Sequence, residues 1–350
     1  MKLGQKYNII KNTLKTKGWK GFSNLVLTWP SLSIEPVNVS SRPIFVQIEP
    51  TIDCNLRCAA CINPTLKRET RMLSLSKFKE IIRQLPYVQK ISLVGAGEPL
   101  LNPEIFNIIE YAKSRGLTIG FATNATLIDD KIAQRIIHSG LDWLNISLDG
   151  ATKGTYENIR KGADFDAVLK NIELLIRMKG KRNKPEISVW FLALKNNLDE
   201  LPGLVLLVER LGISELFVQT VHNWGDPSLK NIDSQRIDDT ARIKKVFSQA
   251  IALARKKQIK FEYVNVPDKG KTRFCKWPWK SCYITVDGYV TPCCLHGADP
   301  KVINFGNIFS ESFEEIWNNK AYQDFRKKLK SDDVPSICVD CPSYYAKVEI

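Results

Sequence analysis

Cysteine is missing from the whole middle of this 350-residue chain: none lies between Cys61 and Cys275, and only three histidines occur anywhere. A zinc site built near residue 60 therefore has no nearby fourth ligand, and structural zinc wants four. Long apolar runs are missing too. The longest, such as Leu204–Val208, fall far short of the ~18 residues that a membrane span requires. The basic N-terminus lacks the compact apolar stretch and small-residue cleavage site of a secretory signal, so a cytoplasmic protein is expected. No dense Lys/Arg run interleaves with stacking aromatics, which leaves no strong nucleic-acid signal.

What is present suits a soluble globular chain. Hydrophobic residues make up 44% and charged residues 25%, and the length allows one large domain plus a small one. With 51 Lys+Arg against 37 Asp+Glu the net charge is +14, which favours anionic partners. The nine cysteines form two groups, three within residues 54–61 and six within 275–341. Disulfides are unusual in a cytosolic chain, so clustered thiols point to metal.

From about residue 44, short β-type runs alternate with helical patterns. Strands are expected at 44–49, 90–95, 117–123, 142–149, 186–194 and 215–221, with one more edge strand at 259–266. Helices are expected around 75–85, 103–115, 128–138, 165–179, 198–211 and 233–257. Ser74, Asn102, Asp199 and Asp233 stand where N-caps belong, and Gly116, Gly140 and Gly212 close three of the helices. Such alternation predicts parallel pairing through right-handed crossovers. The fold class is α/β: a partial (β/α)6 TIM-type barrel, with a doubly wound sheet as the other arrangement the pattern allows.

After Pro267 the rhythm changes to six cysteines, a hairpin signal at "CYITVDGYVTPCC" turning on Asp287-Gly288, and one amphipathic helix near 310–330. So small a segment is expected to depend on metal for its fold. Three domains follow: a basic amphipathic extension (1–43), the barrel (44–266) and the cysteine-rich domain (267–350). In the extension Leu3, Tyr7, Ile10 and Leu14 share one helical face, and Trp19, Phe22, Leu25 and Trp29 follow. Such a helix either packs across an end or side of the barrel or makes a peripheral membrane contact through residues 1–35.

The stretch "DCNLRCAAC" (53–61) sets Cys54, Cys58 and Cys61 directly after the first strand, on the face where such barrels keep their chemistry. Three close thiolates can hold three irons of a [4Fe–4S] cube and leave the fourth iron open. "GAGEPLL" (95–101), "TNA" (123–125) and "ISLDG" (146–150) follow strands two, three and four, and "YENIRKG" (156–162) comes next. Together these residues resemble the radical S-adenosylmethionine (SAM) enzymes, whose corresponding motifs read Gly-Gly-Glu-Pro after strand two and Thr-Asn-Gly after strand three.

The resemblance implies a [4Fe–4S] cluster on Cys54, Cys58 and Cys61 whose open iron is chelated by SAM. One electron then splits the S–C5′ bond, and the 5′-deoxyadenosyl radical takes hydrogen from a substrate. It also implies that Gly97 and Glu98 belong to the motif receiving the SAM amino group, and that Asn124 belongs to the matching loop after strand three. Ser147 would touch the SAM ribose, and Arg160 would hold the SAM carboxylate, a task suited to a forked guanidinium. One position departs from the family: an aromatic residue usually precedes the last cysteine, near the adenine, and here Ala60 stands there. The adenine contact is expected instead from the 191–194 strand.

"FCKWPWKSCYITVDGYVTPCCLHG" (274–297), "FGNIFSESFEEIWNN" (305–319) and "CVDCP" (338–342) resemble the SPASM/Twitch extension of such enzymes. Two all-cysteine cubes need eight thiolates and six are present, so one auxiliary [4Fe–4S] cluster is the economical reading. Its implied ligands are Cys275, Cys293, Cys338 and Cys341. Cys282 and Cys294 are spare, with Cys294 able to exchange with Cys293. Four thiolates would serve a zinc ribbon equally well. A fully ligated cluster cannot activate SAM; it either accepts an electron from a substrate radical or shapes the pocket. For proton handling His222, after strand six, is the candidate base, with His296 and Asp287 behind it.

The expected function is hydrogen abstraction from a ribosomal peptide or a sugar-like metabolite, with net oxidation or bond formation. A low-potential donor of flavodoxin or ferredoxin type would feed it. The runner-up is a membrane-surface enzyme of the same kind acting on lipid or a lipid-linked sugar. A non-catalytic zinc or nucleic-acid-binding protein is the reading of another class.

Overall fold

The computed structural model describes residues 3–66, 68–69, 71–221, 232, 234–263, 275–295, 297–339 and 341, with residues 3–9 and 12 as backbone only. A long helix α1 (Leu3–Ile34), kinked where Gly18 leaves helical geometry, precedes the barrel. Seven strands then pair in sequence order and in parallel: β1 (Phe45–Ile48), β2 (Lys90–Leu93), β3 (Thr118–Thr123), β4 (Trp143–Ser147), β5 (Glu186–Ala193), β6 (Glu215–Thr220) and β7 (Lys260–Tyr263). Helices cross between them: α2 (Leu75–Gln84), α3 (Ile105–Ser114), α4 (Asp130–His138), α5 (Lys153–Ile159), α6 (Phe165–Lys179), α7 (Leu201–Arg210) and α8 (Thr240–Lys256). The alternation read from sequence is this parallel α/β barrel, open rather than closed.

Period-two patterning decides which way each strand faces. Val46, Ile91, Ile119, Leu144, Val189 and Leu216 point to the helices and join one continuous core. The intervening positions face the barrel interior, where the register sets Gln47 beside Ser92, Asn145 beside Ser188, and Trp190 beside Phe217. Ser74, Asp129, Asp164 and Asp239 cap helices by accepting the backbone N–H of Lys77, Ile132, Ala167 and Arg242. Gly116, Gly140 and Gly212 all take positive φ at helix ends.

One expected cap does more than cap, and another is something else. Asn102 Oδ1 accepts Glu104 N–H at 2.9 Å at the start of α3, while its amide donates to the carbonyls of Pro50 and Leu73, tying the loop after β2 to the exit of β1. Asp199 lies in a 3-10 turn and pairs with Arg242. The expected cap Asp233 lies outside the described residues.

The cysteine-rich segment is not a detached unit. After α9 (Trp277–Lys280), strand β8 (Ser281–Ile284) lies parallel to β1, and β9 (Val290–Thr291) returns antiparallel, so the sheet runs β7-β6-β5-β4-β3-β2-β1-β8-β9. Gly288 turns the hairpin at φ +91°, and a Cβ there would strike the Phe309 ring. The helix expected at 310–330 is two, α10 (Phe313–Trp317) and α11 (Lys320–Leu329). Asn319 breaks them by capping α11, accepting from Tyr322 N–H at 2.9 Å.

Arg326 on α11 is fully buried and locks this end of the molecule. It donates to the carbonyls of Pro278 and Val37 and to Asn318 Oδ1, and lies over the rings of Trp317 and Tyr322. Burial pulls its pKa down to about 10. Arg326→Ala strands those acceptors and opens a cavity, and should cost about 3 kcal/mol in denaturant unfolding. Arg326→Lys recovers only part, because a point charge cannot fork.

Candidate active site

The cluster loop begins at the C-terminal end of β1 and is pinned from three sides. Asp53 O accepts from Glu98 N–H at 2.7 Å, on the loop after β2. Asn55 donates to Thr126 and accepts from the Asn124 amide at 3.0 Å, on the loop after β3. Arg57 N–H and Ala59 N–H donate to the carbonyls of Lys161 and Ile159, which flank Arg160. Cys54, Cys58 and Cys61 are thereby held together over the barrel mouth, with Leu56 N–H and Asn63 N–H directed at the sulfurs of Cys54 and Cys61.

Gly97 is required by close approach rather than by its torsion. A Cβ there would sit 2.4 Å from Thr51 O and 2.5 Å from Asp53 O, so any larger residue pushes this loop off the cluster loop. Glu98 is buried, and burial pushes its carboxyl pKa up against the donors that hold it. Those donors are Thr123 Oγ1 at 2.7 Å, Asn124 N–H at 2.8 Å and Leu100 N–H at 3.2 Å. Its carboxylate thus ties the loops after β2 and β3 together. Ala125, where relatives have glycine, adopts φ +61°, a left-handed conformation costing a residue with a Cβ about 1 kcal/mol.

Arg160 lies beside the thiols with its side chain mostly enclosed, 14% exposed. Its Nη2 pairs with Asp149 Oδ2 at 2.7 Å, and Asp149 also accepts from Leu192 N–H at 2.8 Å. Burial alone would lower the guanidinium pKa, but Asp149 and the neighbouring Cys58 outweigh it and raise the pKa. Its Nε is buried with no hydrogen-bond partner among the described residues. Burial pushes all three thiols up, Cys58 to about 11, with Arg160 pulling it back. Bare thiols here stay protonated at neutral pH; a bound metal cluster supplies the positive charge that turns them into thiolates. Among the described residues no three His, Cys, Asp or Glu side chains are gathered to hold a single metal ion; three half-buried thiols on one loop and an orphaned guanidinium N–H beside them suit instead the wider cluster and the carboxylate of SAM. Ser147 ends β4 on the interior side, opposite Trp190.

A second thiol group lies beside β1. Cys275, Cys293, Cys338 and Cys341 each lie close enough to raise another's pKa, and burial, the larger cause, lifts Cys275 to about 12. Cys294 sits at the margin, pushed up to about 12 by burial, with its N–H on Gln47 Oε1. Cys282 is fully buried on β8 next to Arg326, in the apolar core. No disulfide forms among the nine cysteines.

Glu49, which sequence reasoning missed, joins the two thiol groups. Fully buried, it accepts from Arg68 Nη2 at 2.7 Å, Ala96 N–H at 3.3 Å and Val286 N–H at 3.0 Å. Arg68 also pairs with Asp287 at 2.9 Å, and Arg71 reaches Asp287 at 3.1 Å. Asp287 is therefore a structural anion rather than a waiting base. Asp149 was missed as well, although it stands inside "ISLDG". His222 and His296 lie outside the described residues. Ala60 packs with Leu192 against Ile159, Leu194 and Val221, while Phe191 turns into the main core.

Residues 48–205 match the Radical SAM superfamily and residues 275–342 match the iron–sulfur cluster-binding (SPASM) domain. The tungsten-containing aldehyde ferredoxin oxidoreductase cofactor-modifying protein of Pyrococcus furiosus is 27% identical over 85% of this chain and 86% of its own length. A probable GTP 3′,8-cyclase of Methanococcus maripaludis is 30% identical over 70% of this chain and 83% of its own. In fold the chain resembles Streptococcus suis SuiB bound to precursor peptide SuiA, with a TM-score of 0.69 and 19% identity over 94% of this chain and 80% of that one. The chain belongs to the radical SAM superfamily, as an enzyme that uses a [4Fe–4S] cluster with SAM and carries a SPASM domain for auxiliary iron–sulfur chemistry.

Proposed function

We propose that Cys54, Cys58 and Cys61 hold the SAM-cleaving cluster, that Cys275, Cys293, Cys338 and Cys341 hold one auxiliary cluster, and that the substrate is a peptide. When bound, the first cluster and SAM supply a 5′-deoxyadenosyl radical that takes hydrogen from the substrate. This chain's residues then orient and enclose. The Gly97–Glu98 loop and Arg160 receive the amino and carboxylate ends of SAM, and Asp149 aims the guanidinium. Ser147 meets the ribose, and the aliphatic patch of Ala60, Leu192 and Leu194 takes the place of the missing aromatic beside the adenine.

The observation that carries this reading is the Arg160 guanidinium beside three thiols, its Nε buried with no partner among the described residues. For the substrate, the barrel interior offers neutral amides and hydroxyls (Gln47, Ser92, Asn145, Ser188) and the Trp190–Phe217 ring pair, centroids 4.5 Å apart. Such a lining suits backbone amides and an uncharged side chain better than a phosphorylated metabolite. The peptide-bound structural relative supports the same choice. An acidic donor of flavodoxin or ferredoxin type matches the exposed cations Arg57 and Lys161 that rim the cluster loop. Nine thiols without a disulfide suit the cytoplasm.

Arg160→Ala should weaken SAM binding roughly 10- to 100-fold in calorimetry, while iron content and its absorbance stay at the parent level. Arg160→Lys should recover only a fraction, because it keeps charge but loses the fork. Unchanged SAM affinity in both would remove the guanidinium from its assigned role. For the substrate, candidate precursor peptides carrying deuterium on side-chain carbons should transfer label to 5′-deoxyadenosine. Label transfer from a sugar metabolite, and from no peptide, would contradict the peptide reading.

A further inference from the structure

Helix α1 crosses beneath the barrel, under the N-terminal ends of the strands. A Cβ at Gly116, just before β3, would lie 3.1 Å from Thr16, so the two backbones already touch through that side chain. The Asn24 side chain exchanges hydrogen bonds with the backbone of Arg42, at the entry to β1. At the far end Lys330 reaches Glu35 O at 2.9 Å, and Trp279 Nε1 donates to Pro36 O. The inward face of the second half, with Asn24, Leu25, Thr28 and Ser31, is buried.

The opposite face is apolar and uncovered. Trp19 (77% exposed), Val26 (45%), Leu27 (48%) and Ile34 (69%) fall within about a quarter-turn of one another at 100° per residue. The same helix is strongly basic: residues 3–34 contain five lysines and neither Asp nor Glu. Lys11, Lys15 and Lys20 are exposed. No helix among the described residues is long and apolar enough to cross a membrane.

We propose that this underside docks the enzyme on an anionic lipid bilayer, lying in the interface rather than spanning it. The apolar face of Trp19, Val26, Leu27 and Ile34 enters the headgroup region, where an indole is favoured, and the lysines meet the anionic headgroups. The thiols, Arg160 and the mouth lie at the opposite, C-terminal ends of the strands. A docked enzyme therefore opens towards water and takes its substrate from there, which separates membrane attachment from lipid chemistry.

Flotation of the full-length protein with vesicles tests this without SAM turnover. The parent should float with phosphatidylcholine vesicles containing about one-third phosphatidylglycerol, and much less with phosphatidylcholine alone or at high salt. Val26→Ser/Leu27→Ser/Ile34→Ser should lose roughly ten-fold of the bound fraction with unchanged thermal unfolding, since all three side chains face out. Lys11→Glu/Lys15→Glu/Lys20→Glu should lose a similar amount. A parent that floats with neither vesicle overturns the proposal, as do variants that float like the parent. A parent dimer that the serine variant dissolves, with no flotation of either, assigns the face to a second copy instead and equally overturns it.

Discussion

The carboxylate of Glu49 is the constraint on which the rest of the site depends. It stands at the end of β1, five residues before Cys54, and is buried with four hydrogen bonds from three separate parts of the chain. Ala96 N–H brings in the loop after β2, Val286 N–H brings in the β8–β9 hairpin, and Arg68 brings in the returning end of the cluster loop. A buried anion keeps its place only with partners of this kind. Moving any of the three pieces leaves a charge or an amide unpaired, so the loop after β1, the loop after β2 and the β8–β9 hairpin hold a fixed mutual geometry.

From that junction the chemistry divides by depth. At the mouth, Arg160, paired with Asp149, lies beside the half-buried thiols, which a bound metal cluster would hold as thiolates. Deeper in the barrel the lining turns neutral and aromatic. At the floor, Lys90 lies over the rings of Phe45 and Trp143, 5.7 and 4.6 Å from their centroids, and closes the base with a cation–π stack. Below it α1 completes the underside. A barrel plugged at one end and open at the other confines substrate and radical to the same small volume.

Much of this was legible in the sequence because it is local. Each strand run is bounded by a helical pattern, so the seven parallel strands and the positive-φ glycines follow from period and punctuation. The three thiols announce themselves by spacing, and Arg160 by its place after "ISLDG". What stayed hidden is non-local. Nothing in "SCYI" says that β8 pairs with β1, more than 230 residues away, since that choice is made by Gln47–Tyr283 register and by Glu49 receiving Val286. Glu49 itself reads as an ordinary carboxylate before a proline. Asn102 and Asn319 each accept a backbone N–H at the start of a helix, but Asn102 also ties the loop after β2 to the exit of β1, and only its surroundings reveal that second use. The short α5 escaped because seven residues carry too few turns for a period.

The central claim is that the triad of thiols at the barrel mouth makes SAM chemistry possible while the second group serves apart from it. The most direct measurement is anaerobic incubation of the iron-reconstituted parent and its Cys54→Ala variant with dithionite and SAM, with 5′-deoxyadenosine quantified by chromatography. The account predicts 5′-deoxyadenosine from the parent, holding about eight irons, and none from the variant, which retains about the four irons of the second group. A parent that makes none, or a variant that makes as much as the parent, would contradict it.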